Sequence, residues 1–137
     1  MVRILVVDDE PAIRALVARI AQRAGFEVDV ARDGAEAIAM LDATTFQVVI
    51  LDLMMPIVDG YGVIDHVRET GGQHPAIILI SAADSAAFRR VDGEIVHSVI
   101  RKPFDIDVLS DLITAAAESR QASEAGNVLP FRKDEVC

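Results

Sequence analysis

Four apolar runs of this sequence lead to residues that can do polar chemistry. ILVV at 4–7 runs into Asp8 and Asp9, VVIL at 48–51 into Asp52, and IILI at 77–80 into Ser81, while the run ending at Ile100 is followed by Lys102 and Pro103. Three carboxylates gathered at one place repel one another, by roughly 4 kcal/mol per pair at about 4 Å and an effective dielectric near 20. Such a cluster demands a cation. Hard oxygen donors with room for water suit Mg2+, which takes one or two carboxylates and completes its shell with water and a phosphate group. Lys102, a compact charge with three donors, can meet the far side of an anion held there. The chemistry on offer is the binding of a hard cation with an anion beside it.

Taken singly, each of these residues has a plainer role. An Asp at a strand end commonly caps a helix or sits in a solvated turn, and isolated Lys-Pro or Ser-Ala pairs mean less still. Turn chemistry does not account for five polar groups of the right kinds, all at strand ends.

The elements that must position them follow from two alternating hydrophobic periods. Ile4 to Val7, Phe26 to Ala31, Val48 to Leu51, Ile77 to Ile80 and Ser98 to Arg101 read as strands, the second the weakest. The first helix places Ile13, Leu16, Val17, Ile20 and Ala24 on one face, after Pro11 in its first turn and before Gly25 as a stop. A second helix runs from Ala35 to Leu41 after the turn RDG, and a third follows Asp59 and Gly60 with Val63, Ile64 and Val67 inward. The break TGGQHP precedes the fourth strand. A short helix is expected over Ala86 to Val91, interrupted by Asp92 and Gly93, and a last one over Ile106 to Ser119 with Leu109, Leu112, Ile113, Ala116 and Ala117 inward. Five strand and helix alternations imply an α/β fold with parallel pairing and right-handed crossovers. In an open parallel sheet the crevice lies beyond the carboxyl ends of the strands, where the five polar groups sit.

Composition narrows the function classes. With 137 residues and 52% hydrophobic content the chain fits one domain, expected over 1–120, with residues 121–137 a flexible tail that loses periodicity. Aromatic residues make up 4% with no Trp, so the core is expected from Val, Ile, Leu and Ala, as in helix-covered sheets. A formal charge of −9 argues against direct DNA binding and against an anionic membrane surface. The lone Cys137 rules out a disulfide within the chain, no signal peptide is visible, and no apolar run approaches a membrane span, so a cytoplasmic protein is expected.

The motifs ILVVDDEPAIR, VVILDLMMPIVDGYGVI, ILISA and IRKPF, in this order from Arg3 to Ser119, resemble the receiver domain of bacterial two-component response regulators, here of the stand-alone single-domain type. The resemblance implies a flavodoxin-like (βα)5 doubly wound sandwich with a five-stranded parallel sheet of order 2-1-3-4-5. It implies that Asp52 is the phosphoacceptor, taking a phosphoryl group from a sensor histidine kinase or a histidine phosphotransfer protein and then switching the binding of a downstream protein target. It further implies Mg2+ held by Asp9 directly, by Asp8 mainly through water, by Asp52 and by the backbone carbonyl of Met54. Lys102 and Ser81 meet the phosphoryl oxygens, and a cis bond joins Lys102 to Pro103. Such a domain is a signalling phosphoacceptor and not an enzyme, at most promoting its own phosphorylation and slow dephosphorylation.

Val99 departs from the family pattern, since a Tyr or Phe usually stands three residues before the lysine and a β-branched side chain cannot serve as a rotating ring. The switch is therefore expected to run through a change of order in Asp84 to His97. Neither Met54 nor Ala83 offers a side chain that would hold an attacking water, so the phosphoryl group is expected to last. The three histidines, His66, His74 and His97, fit surface roles. A docking face for a kinase helical bundle is expected on Arg14, Ala15, Ala18, Arg19 and Gln22 of the first helix.

Three rivals remain in view. A phosphatase with a strand-end Asp nucleophile needs a second Asp two residues on, where this chain has Met54. A flavin or dinucleotide carrier needs a glycine-rich loop where DDEPA stands. A non-phosphorylated receiver-like protein interaction module is the alternative that Val99 keeps open.

Overall fold

The computed structural model describes residues 2–55, 58–70, 74–82 and 95–125, the last five by backbone alone. In chain order these form β1 (Arg3–Val7), α1 (Pro11–Arg23), β2 (Glu27–Ala31), α2 (Gly34–Ala43), β3 (Val48–Asp52), α3 (Gly60–Glu69), β4 (Ala76–Ser81), β5 (Val96–Arg101) and α4 (Ile106–Ala125). All strand pairs are parallel and the order is β2-β1-β3-β4-β5. This is the doubly wound sheet expected from the alternating periods. The helix expected over Ala86 to Val91 lies outside the described residues, as do Ala83 and residues 126–137.

Strand periodicity divides the core into two layers. Ile4, Val6, Val48, Ile50, Ala76, Ile78 and Ile80 face α1 and α4, against Val17, Ile20, Leu109 and Ile113. Leu5, Val7, Val49, Leu51, Ile77 and Leu79 face α2 and α3, against Ala37, Val63, Ile64 and Val67. The central strands β3 and β4 are buried along their whole length, which explains why they read as continuous apolar runs. β2 lies at one edge, half-exposed, which is why its signal is weak.

Two helices differ from expectation. α1 buries Val17, Ala18, Ile20 and Ala21, whereas Leu16 is 38% exposed. Because α1 packs on β1, β2 and α4 together, its buried stripe turns toward the two small alanines, which allow close approach. Ala18, expected on the docking face, is therefore inside. α4 continues to Ala125 beyond the expected stop at Ser119, carrying residues 121–125 into the helix.

Two glycines are needed where they stand. Gly25 closes α1 with φ +99, the left-handed conformation that favours glycine at a helix end. Gly60 starts α3 so close to β3 that a Cβ there would sit 2.7 Å from Leu53 Cα. Its N–H donates to the Leu53 carbonyl at 2.8 Å, folding the chain back beside the end of β3. The Asp59 carboxylate caps α3 at the Gly62 N–H, 3.1 Å away.

Candidate functional site

The site grows out of strand register. Ile4 pairs with Val48 and Val6 with Ile50 on the same face, so the next members of the two rows, Asp8 and Asp52, come out side by side. Asp8 follows the last residue of β1, and its N–H still donates to the Ala31 carbonyl at 3.2 Å. Asp8 and Asp52 are 3% and 5% exposed, so two carboxylates stand where apolar side chains would be expected. β4 delivers Ser81 fully buried, and its carbonyl accepts from the Lys102 N–H at 3.0 Å. That bond carries the β4–β5 pairing past Arg101 and fixes the start of the loop that bears Lys102. The Lys102 to Pro103 bond is cis.

Lys102 Nζ reaches three carboxylates: Glu10 Oε1 at 3.2 Å, Asp52 Oδ2 at 3.4 Å and Asp8 Oδ2 at 3.5 Å. Asp52 Oδ1 accepts from the Met54 N–H at 3.1 Å, and Asp8 Oδ1 from the Glu10 N–H at 2.9 Å. The carboxylates are thus held from both sides, by the backbone of their own loops and by one ammonium.

One positive charge does not balance three negative ones. Burial pushes Asp52 up to about 6, and the neighbouring Asp8 adds to the rise, against the Met54 N–H and Lys102. Burial likewise raises Asp8. Lys102 is pulled down by burial, but the charges of Asp52 and Asp8 and the bond to Glu10 outweigh that and leave it above its ordinary value. The pattern is that of a site short of positive charge.

Carboxylate oxygens of Asp8, Glu10 and Asp52 lie within 4.8 Å of one another, and this acidic cluster could hold a metal ion. Oxygen donors of this kind and spacing suit a hard divalent cation. A cleft of about 360 Å³ opens beside them, lined by Asp9, Glu10, Asp52, Met54, Ser81, Ala82 and Lys102.

All six residues singled out in the sequence, Asp8, Asp9, Asp52, Met54, Ser81 and Lys102, are found at this corner of the sheet, but not in equal roles. Asp9 is exposed and lines the cleft without joining the close carboxylate group. It takes the alternate parity from Asp8, and the row along β1 therefore carries Asp8, not Asp9, toward Asp52. Met54 lines the cleft with its side chain 57% exposed. Glu10 is the participant that sequence reasoning missed. Its signal was a glutamate just before Pro11, at the N-cap, where Ser, Thr, Asp or Asn is preferred.

The histidines stand apart from the cleft lining. His66 Nε2 lies 2.8 Å from Asp42 Oδ1, joining α3 to α2, and His97 Nδ1 lies 2.6 Å from the Ser98 hydroxyl. Val99 is 42% exposed on β5. No helix among the described residues is long and apolar enough to cross a membrane.

Comparison with known proteins shows the family and the fold. The family model described as the response regulator receiver domain matches residues 4–114. The transcriptional regulatory protein TrcR of Mycobacterium tuberculosis is 40% identical over 110 residues, covering 79% of this chain and 42% of that protein. The response regulator MprA of Mycobacterium bovis is 33% identical over 132 residues, covering 96% of this chain and 57% of that protein. This chain therefore spans about half the length of these relatives. Among solved structures, the response regulator TrrA of Thermotoga maritima, in complex with Mg2+ and BeF, superposes with a TM-score of 0.76 at 34% identity, covering 85% of this chain and 99% of that one. A CheY-like receiver domain from Methanospirillum hungatei gives 0.76 at 29% identity, covering 87% and 96%.

Proposed function

The chain belongs to the response regulator receiver domain family, a family of signalling domains, and from that premise we propose that it accepts a phosphoryl group on Asp52 from a histidine kinase or histidine phosphotransfer protein. The single observation carrying this reading is the position of Asp52: buried, at the end of a rigid central strand, with its two oxygens held by Met54 N–H and Lys102 Nζ.

A carboxylate oxygen of Asp52 attacks phosphorus, the P–N bond to the donor imidazole breaks, and its electron pair stays on the ring nitrogen, which takes up a proton. Burial raises Asp52 to about 6, still below neutral pH, so the nucleophile is available yet poorly solvated. Asp8, Asp9, Asp52 and the Met54 carbonyl would hold Mg2+, with Glu10 close by. Bound there, the ion supplies charge to the transferring oxygens and relieves the repulsion among the acids. Lys102 would face the same oxygens, and Ser81, buried at the cleft wall, would offer its hydroxyl to one of them. In phosphoryl transfer, positioning and charge are the main resources a protein has.

The donor is expected to approach along α1. A groove between α1 and the start of α4, lined by Leu16, Arg19, Ile20, Arg23, Ile106, Asp107 and Ser110, offers apolar contact bordered by charges of both signs. Phosphorylation then alters the surface read by a downstream protein target. DNA is not expected to be that target for this domain, given its charge of −9. A cytoplasmic setting accords with the single cysteine.

Incubation with a small phosphodonor, with and without Mg2+, followed by intact mass, tests the reading. One added phosphoryl group is expected in wild type with metal and none in Asp52→Asn. A label that persists in Asp52→Asn, or wild type that binds partners but takes no label, would sink it; the latter would favour the unphosphorylated docking module.

A further inference from the structure

Glu10 is held at both ends of its backbone. Its N–H is given to Asp8 Oδ1 at 2.9 Å and its carbonyl accepts from the Arg14 N–H at 2.9 Å, so the residue is fixed at the mouth of the cleft. It occupies the N-cap of α1 yet makes no side-chain cap bond. The side chain instead crosses to Lys102 Nζ at 3.2 Å, the shortest of that ammonium's three carboxylate contacts.

An ammonium has three donors and no more. Here Lys102 donates to Glu10 and Asp52 and lies in ion-pair contact with Asp8 at 3.5 Å. A phosphoryl group arriving on Asp52 brings new oxygens; the donor freed from Asp52 meets one of them, and Lys102 can turn further toward them only by giving up Asp8 or Glu10. The exposures say which one. Asp52 gives up its carboxylate charge when it is phosphorylated, so the choice lies between Asp8 and Glu10: the Asp8 side chain is 4% exposed and its release strands a charge away from water, whereas Glu10 is 60% exposed and rehydrates on release.

We propose that Glu10 is a positioning residue that holds Lys102 in the resting domain and competes with the phosphoryl group for it. This rests on the reading of Asp52 as phosphoacceptor. The Glu10 contact keeps the ammonium poised at the cleft mouth, and its loss is the cost that the phosphoryl oxygens must outbid. Glu10 therefore sets how readily the domain enters its phosphorylated state, acting through Lys102 alone.

Beryllofluoride, a phosphoryl mimic, gives the test at saturating Mg2+ with the full chain, read by amide and lysine 15Nζ resonances. Glu10→Gln removes the charge, and Glu10→Asp keeps it on a side chain one methylene shorter. Both variants are expected to bind beryllofluoride about threefold to fivefold more tightly than wild type, the span that a partly exposed ion pair supports. Both are also expected to shift the Lys102 15Nζ signal in the metal-free chain but not in the beryllofluoride complex. Affinity that is unchanged or weaker in Glu10→Gln overturns the inference. So does wild-type behaviour in Glu10→Asp, which would make the effect one of general charge, and so does a matching loss of Mg2+ affinity, which would make Glu10 a metal ligand. Wild type that binds no beryllofluoride with Mg2+ present would instead overturn the phosphoacceptor reading itself, and this inference with it.

Discussion

β1 has charged groups at both ends, and the two ends behave oppositely. At its start, Arg3 forks to Glu27 at 3.0 Å and Asp29 at 3.3 Å on β2, with all three side chains between 40% and 50% exposed. Past its other end, Asp8 joins Asp52 and Lys102 with side chains 4%, 6% and 16% exposed. The first cluster is one cation between two anions in water, where each pair is worth little. The second has similar contacts, but burial leaves its carboxylates wanting more positive charge than Lys102 supplies. Contact distance is nearly the same at both ends. Solvent access is what separates a solvated ion pair from a buried acidic cluster short of positive charge.

The sharpest way to break that contrast is to remove the cation at each end. Lys102→Met should lower stability by about 3 kcal/mol at neutral pH without metal, because two buried acids lose their partner. Urea unfolding measures it, and a loss no larger than that at Arg3 would erase the distinction. Next in size, Asp52→Asn should raise stability by roughly 2 kcal/mol in metal-free buffer at neutral pH, since it removes a charge that burial disfavours. The pH dependence carries a clear sign. Between its ordinary 3.8 and about 6, folded Asp52 keeps a proton that the unfolded chain has lost, so wild-type stability falls as pH rises through that window. The gain from Asp52→Asn should therefore be absent below the window and complete above it.

Metal should sharpen the same contrast by a smaller amount. Mg2+ at about ten times its dissociation constant should stabilise the chain by roughly 1.4 kcal/mol, and the increment should shrink in Asp52→Asn. Thermal unfolding with and without Mg2+ reads this directly. Arg3→Ala should change stability by about 0.5 kcal/mol or less, and the change should fade with added salt.

The sheet was legible because its buried strands are unmixed apolar runs and its helices carry distinct stripes. The site was legible as residue types at strand ends, since Asp8, Asp52, Ser81 and Lys102 all emerge at the same edge of the sheet. What escaped was finer. Periodicity placed Leu16 inward and Ala18 outward, but α1 packs on sheet and α4 at once, and the stripe rotates toward the smaller side chains. Asp8 and Asp9 read as equals in the sequence, and only parity along β1 sends one toward Asp52. Glu10 gave almost no signal, because its contact to Lys102 bridges residues far apart in the chain. Val99 shows the reverse case: its departure from the family pattern was plain in the sequence, and the structure places it 42% exposed on β5.

The most direct measurement is a pH titration of the Asp52 side-chain carboxyl by 13C NMR, with and without Mg2+. A midpoint near 6 in metal-free buffer, falling well below the ordinary carboxylate range once Mg2+ is added, is the expected result. A midpoint near 4 that ignores the metal would contradict the claim that this corner of the sheet gathers buried acids short of positive charge.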